Sequence, residues 1–193
     1  MTSLLQEEAW LSPAEYLAQE ERSDVRHEYV GGRTHAMAGA TRAHNIIAGN
    51  IFAALHRHLR GKKCRTFMND MKLRLNYANG QTVFYYPDVM VSCRPEASEI
   101  HVEQPSVLFE VLSRETQDVD KREKFFSYTG IASVEAYVLV DQYRREVLVY
   151  RRTEEGWDTE RLVHLTDELH LATLGFDMSV EAIYEEAFEQ PEA

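Results

Sequence analysis

The chain has 193 residues, 44% of them hydrophobic, which is enough to bury a core and excludes global disorder. Its 21 Lys plus Arg face 32 Asp plus Glu, and the net charge of −11 excludes a protein that coats nucleic acid or an anionic membrane by bulk charge. Cys64 and Cys93 lie far apart with no Cys-x-x-Cys pattern, which excludes a cysteine zinc site and fits a reducing compartment.

Read from its start, the chain opens with MTSLLQEEAW, which has no basic leader region, and no apolar run approaches the roughly 18 residues of a membrane span. No membrane partner and a cytoplasmic location are therefore expected. Ser12-Pro13-Ala14-Glu15 predicts a helix start, with Ser12 as N-cap and Glu15 closing a capping box, and the helix should run to about Glu21. Gly31-Gly32 between HEYV and RTHAM predicts a hairpin. Thr41 can cap a longer helix on which Ile47, Ile51, Leu55 and Leu59 form a stripe, with Gly61 as its C-cap. Extended segments follow at about Arg65–Leu75, Val83–Cys93 and Ser106–Leu112, with a turn at Asn79-Gly80 before the second. A charged helix over about Asp118–Thr129 precedes a buried-type strand, Val134–Asp141. Arg145–Arg152 reads as its hairpin partner, Trp157–Leu165 as a further strand, and a terminal helix starts at Ser179. That helix should lay Val180, Ile183, Tyr184 and Ala187 on the chain's own core.

With no repeat or linker, residues 1–193 read as a single α/β domain: a core over about 10–155 and an acidic extension over about 156–193. The core order helix–strand–strand–strand–helix–strand, αβββαβ, predicts a mixed central sheet flanked by helices, with an extra N-terminal hairpin and C-terminal strands and helix. Charge is distributed unevenly along it. Residues 1–30 hold seven acids and two bases, residues 154–193 twelve acids and one base, and the middle thirteen acids and eighteen bases. The densest basic stretch carries Arg57, Arg60, Lys62, Lys63 and Arg65; a helix C-terminus accounts for it without any ligand, and an anion-binding role is the alternative.

Three features inside the core point to chemistry. Tyr86-Pro87-Asp88 sets a proline and an acid in an apolar strand, and proline marks an edge or an irregularity. Val107-Leu108-Phe109-Glu110-Val111-Leu112 buries a carboxylate, which is costly without a cation, a metal or good hydrogen bonds. Lys124 lies one helical turn beyond Asp120. Two carboxylates on neighbouring strands make an oxygen donor set that suits Mg²⁺, and a nearby lysine suits the charge that develops in phosphodiester hydrolysis. A plain buried Glu110–Lys124 ion pair is the alternative for those residues taken singly. His27, His35, Tyr85, Tyr86 and Tyr128 read as surface or packing residues, and Arg114 and Lys121 equally as phosphate contacts or as solvated charges.

The words HEYVGGRTHAM followed by His44, FYYPDVMVSC, PSVLFEVLSRET, DKREKFFSYTGI and VEAYVLVD resemble the PD-(D/E)XK nuclease superfamily, and within it the bacterial Uma-two-type family, classed with restriction endonucleases. The resemblance covers about residues 10–155. It implies a restriction-endonuclease-like core and a Mg²⁺-dependent endonuclease acting on DNA, duplex by preference, with Mn²⁺ as a substitute and a homodimer for cutting both strands. Asp88 and Glu110 match the metal ligands, with the Val111 carbonyl as a third. The superfamily lysine two residues after the acid is replaced by Leu112, and Lys124 on the next helix matches the family's displaced lysine. Glu28 and His44 match an early glutamate and histidine near the metal or the attacking water. A nuclease-fold module that binds nucleic acid with little catalysis is the second reading, favoured by the acidic balance and by Leu112. A carboxylate-pair glycosidase is a third, disfavoured by Lys124.

Overall fold

The computed structural model describes residues 10–37, 39–113 and 120–188, with the side chains of Asp120 and Lys121 outside that description. Helix α1 (Pro13–Glu20) begins as the sequence predicts, with Ser12 and Glu15 closing a reciprocal capping box. Strands β1 (His27–Val30) and β2 (Arg33–Ala36) pair in register Val30↔Arg33 across Gly31 and Gly32, whose φ angles of 59° and 84° are those of a tight primed hairpin turn. Trp10 packs so closely on Gly32 that a Cβ there would lie 2.1 Å from the indole. Helix α2 (Arg42–Leu59) is capped by Thr41, whose Oγ1 accepts the His44 N–H at 3.1 Å. Its buried stripe is Ile47, Ala48, Ile51, Leu55 and Leu59; Arg60 is the C-cap and Gly61, with φ 78°, follows it.

The two longest predicted strands are each broken. Arg65–Leu75 divides into β3 (Arg65–Met68) and β4 (Lys72–Asn76), and Val83–Cys93 into β5 (Thr82–Tyr85) and β6 (Val89–Ser92). Asn69 takes a left-handed φ of 52° in the first break, a conformation asparagine tolerates better than most residues. Pro87, with no N–H for a ladder, makes the second. Both chains leave one sheet there and enter another. With β7 (His101–Val102), β8 (Val107–Leu112), β9 (Ala136–Asp141), β10 (Val147–Thr153) and β11 (Gly156–Leu162), they build two mixed sheets. A six-stranded sheet runs β11-β10-β9-β8-β6-β3, with only β8 and β9 parallel; a five-stranded sheet runs β2-β1-β5-β4-β7, with β4 and β7 parallel. The expected αβββαβ order is carried by α2, β3, β6, β8, the turn that follows and β9, with β4, β5 and β7 inserted.

The predicted charged helix is a π-helical turn, Asp120–Lys124, running into α3 (Phe125–Thr129); the expected residues 118 and 119 lie outside the described residues. A hairpin that sequence reasoning missed, β12 (Glu168–Leu171) and β13 (Phe176–Ser179), precedes α4 (Val180–Ile183), a single turn capped by the Ser179 hydroxyl. Val180, Ile183, Tyr184 and Ala187 pack with the α2 stripe and the inner face of the six-stranded sheet, on the chain's own core as expected.

Cys64 and Cys93 form a disulfide. The register Arg65↔Ser92 between β3 and β6 brings the two thiols opposite one another, which spacing alone does not reveal. The cysteines therefore give no support to a reducing compartment. Among the described residues no helix is long and apolar enough to cross a membrane.

Candidate active site

Where the two sheets part, a cleft of about 1010 Å³ opens between the β1–β2 hairpin, the first turns of α2, the two strand breaks and the π turn. Asp88, Glu110, Lys124, Glu28 and His44 all line it. The fold brings together residues spread over almost a hundred positions of sequence, each for a local reason. Asp88 sits between Pro87 and β6. Glu110 lies in β8, whose six residues are all buried. Lys124 closes the wide π turn, a device that redirects one side chain inward. Glu28 lies in β1, and His44 stands one turn inside the capped end of α2.

Contacts in the cleft form two linked groups. Asp88 Oδ2 accepts the Val111 N–H at 2.7 Å and stands 3.2 Å from His44 Nε2. Lys124 Nζ lies 3.1 Å from Glu110 Oε1 and 3.0 Å from Glu28 Oε1, between a strand of each sheet. Lys124 and Glu110 are only 5% and 3% exposed, so this cation and carboxylate are almost wholly withdrawn from water. The main-chain N–H of Tyr86 points at Glu28 Oε1 from 3.5 Å. Lys124 also lies over the Tyr85 ring, 5.6 Å from its centroid.

Tyrosines are the site partners that sequence reasoning missed. Tyr128 donates its hydroxyl to Glu110 Oε1 at 2.8 Å, while Tyr85 donates to Glu123 Oε1 at 3.1 Å. Burial holds the Tyr128 hydroxyl well above its ordinary pKa, and the Glu110 charge adds to the effect, so Tyr128 stays protonated and donating. Tyr85 is raised for the same first reason, with Glu123 reinforcing it. Their spacing signals only packing. The one available cue is that Tyr128 follows Lys124 by one helical turn, on the face that meets Glu110. His35 lines the cleft, whereas His27 is bound to Glu20 at 3.1 Å. Arg114 and the side chain of Lys121 lie outside the described residues. The basic stretch Arg57–Arg65 begins at the opposite end of α2, with Arg57 about 20 Å along the helix axis from His44.

Six carboxylates line the cleft (Asp24, Glu28, Asp70, Asp88, Glu110 and Glu123) against two fixed cations, Arg26 and Lys124. That excess among the described residues favours a bound cation and opposes a bare phosphate. Among those residues no group of three or more His, Cys, Asp or Glu side chains is placed to hold a metal ion. A metal here would rest on Asp88, Glu110, main-chain oxygen and water. The donors are hard oxygens, and Mg²⁺ takes one or two carboxylates while keeping several waters. A main-chain ligand is also available by register. Continuing the pairing Val89↔Phe109 by two residues sets Val111 opposite Pro87. The Val111 N–H goes to Asp88, and its carbonyl, on the same edge of the strand, faces a proline with no N–H to give. The residues present therefore fit Mg²⁺ or Mn²⁺, provided water completes the shell.

This mixed α/β fold, with its acidic cleft at the strand ends, is restriction-endonuclease-like. A solved structure described as "a putative nuclease belonging to DUF820", from Anabaena variabilis ATCC 29413, matches with a TM-score of 0.72 at 16% identity. The match covers 91% of this chain and 98% of that one, and establishes the shared fold. The model of the Uma2 family, described as "Putative restriction endonuclease", matches residues 13–181, and the chain belongs to this family. Two proteins of Synechocystis sp. (strain ATCC 27184 / PCC 6803 / Kazusa) are similar. Uncharacterized protein slr1290 is 31% identical over 176 residues, covering 90% of this chain and 91% of its own length. Uncharacterized protein sll1609 is 32% identical over 146 residues, covering 74% and 81%.

Proposed function

We propose that the protein is a divalent-metal-dependent endonuclease that hydrolyses phosphodiester bonds in DNA. The observation that carries this reading is the meeting of Glu110 and Glu28 on Lys124, with Asp88 lining the same cleft of a nuclease-like fold. Asp88 and Glu110, with the Val111 carbonyl, would hold Mg²⁺ or Mn²⁺. The ion would supply charge neutralisation at the scissile phosphate and a more acidic water. The chain supplies the rest. Lys124 is fixed between Glu110 and Glu28, where its ammonium can meet a non-bridging phosphate oxygen or orient the attacking water. Tyr128 shares the Glu110 oxygen with Lys124 and fixes that carboxylate's direction. His44, on Asp88, is placed to take or give a proton at the cleft mouth. Cutting both strands of a duplex calls for two such clefts, and a homodimer provides them.

Plasmid nicking in Mg²⁺ tests the reading. Wild-type protein should nick, while Asp88→Ala and Glu110→Ala should each lose on the order of 10²–10³ in rate. Nicking that survives both substitutions would remove the assignment. The existing pairings of Asp88 with His44 and of Glu110 with Lys124 favour a second reading, a nuclease-fold module that binds nucleic acid without cutting. Calorimetry separates the two: DNA binding without Mg²⁺ or Mn²⁺ binding selects the module.

A further inference from the structure

One buried carboxylate beside the cleft is not used by the proposed reaction. Glu20, the last residue of α1, is 3% exposed, and a carboxylate so buried is costly unless hydrogen bonds satisfy it. Its Oε1 accepts the His27 N–H at 2.9 Å and the Tyr86 hydroxyl at 2.8 Å, while Oε2 lies 3.1 Å from His27 Nδ1. Both partners adjoin cleft residues. His27 precedes Glu28 in β1; Tyr86 precedes Pro87-Asp88, and its own N–H points at Glu28. The same helix grips β1 a second time through Tyr16, whose hydroxyl donates to the His27 carbonyl at 2.7 Å. Lys72 Nζ lies over the Tyr86 ring, 5.2 Å from its centroid. Burial pushes the Tyr86 hydroxyl well above its ordinary pKa, and Tyr16 and Glu20 push it the same way, so it stays a donor.

We propose that Glu20 is a positioning residue of the cleft: it clamps β1 to the Tyr86-Pro87-Asp88 corner, holding Glu28 on Lys124 and Asp88 on the Val111 N–H. β1 and β5 pair at Tyr29↔Phe84, and beyond that pair one carboxylate joins His27 to Tyr86. The catalytic consequence rests on the nuclease reading; the clamp itself does not.

The test compares Glu20→Ala with Glu20→Gln in the full-length protein. Glutamine retains an oxygen for the His27 N–H and the Tyr86 hydroxyl and presents an amide N–H to His27 Nδ1, so it should rescue what alanine loses. Nicking in Mg²⁺ by Glu20→Ala should show kcat lower on the order of 10–100-fold, with KM changed much less, because misplacement rather than lost binding is the defect. Hydrogen exchange should quicken at residues 27–30 and 86–88 in Glu20→Ala, and return to wild-type rates in Glu20→Gln. Glu20→Ala should also combine with Glu28→Gln less than additively. Unchanged exchange at both segments in Glu20→Ala overturns the clamp, as does equal loss in the alanine and glutamine variants. Should Glu20→Ala fail to fold, Tyr86→Phe removes one of the donors, keeps the ring, and should show the same kcat loss in smaller measure. If wild-type protein nicks no DNA, the nuclease reading falls, and the exchange rates still decide the clamp.

Discussion

The two sheets of this molecule are built on different terms. The six-stranded sheet buries apolar strands such as β8 and β9 against α2 and the C-terminal elements, and contributes Glu110 and the Asp88 corner. The five-stranded sheet has shorter strands and carries titratable side chains within or beside its packing: the half-buried Glu28 and His27 on β1, Lys72 and Arg74 on β4, and the buried His101 on β7. The difference teaches that the cleft belongs to neither sheet. It forms where an apolar scaffold and a polar one exchange chains, and Lys124 bridges a carboxylate from each.

The largest expected effect breaks that bridge. Lys124→Met leaves Glu110 and Glu28 facing each other without their cation, and removal of one partner of a buried pair costs about 3–5 kcal/mol. Lys62→Met, on the exposed basic stretch at the far end of α2, should change stability by less than about 0.5 kcal/mol. Chemical denaturation of both variants measures the contrast. Adding Glu28→Gln to Lys124→Met should restore part of the loss, and equal stability of the two lysine variants would sink the bridging role.

Next in size is the fastening of the six-stranded sheet at its β3 edge. The Cys64–Cys93 bond closes a loop across a sequence separation of 29. In the chain-entropy account a loop of that length is worth about 3.5 kcal/mol. Cys64→Ser should lower the melting temperature accordingly, and a reductant should lower that of the wild type but not of the variant. A wild-type melting temperature indifferent to reductant would show that the bond contributes nothing to the sheet.

Tyr128→Phe should cost less. It removes one hydrogen bond to a charged, buried acceptor, worth about 1.5–3 kcal/mol, and leaves the Lys124–Glu110 pair in place. If the tyrosine also directs the carboxylate, the affinity for Mg²⁺ measured by calorimetry should fall along with stability. Stability loss at unchanged metal affinity would reduce Tyr128 to packing.

Legibility in the sequence follows the same division. The six-stranded scaffold announces itself through the four-residue spacing of Ile47, Ile51, Leu55 and Leu59 and through the apolar run around Glu110, because complete burial leaves a continuous signal. The capping box at Ser12 and the Gly31-Gly32 turn are equally plain, being fixed by local hydrogen bonds and by φ. Asp88, Glu110 and Lys124 stand out from the residues themselves, Glu28 and His44 enter through the resemblance, and the fold gathers all five into one cleft. The breaks at Asn69 and Pro87 were not legible as a change of sheet: Pro87 marks an irregularity, but apolar residues resume beyond each break and nothing local says which sheet they join. Nor were the roles of Tyr128 and Glu20: a buried hydroxyl or carboxylate is satisfied by partners distant in sequence, and spacing carries no trace of them.

The smallest predicted effect lies in the polar sheet. His101 on β7 is buried, with Ser98 Oγ 3.0 Å from Nδ1 and Glu103 Oε1 3.3 Å from Nε2; Arg74 also meets Glu103, and Phe84 lies edge-on to the imidazole. Burial lowers its pKa below the ordinary 6.5, and Arg74 acts the same way against the opposing pull of Glu103 and Glu96. With the folded pKa below the unfolded one, the unfolded chain binds the extra proton first as pH falls. Stability from this residue is thus complete above pH 6.5 and is lost as pH drops from there towards the folded pKa. His101→Gln should flatten that part of the curve: between pH 7.5 and 5.5 the melting temperature should fall less steeply in the variant than in the wild type. Parallel curves would mean that the imidazole accepts its proton within the fold at no cost, and that the polar sheet is as indifferent to pH as the apolar one.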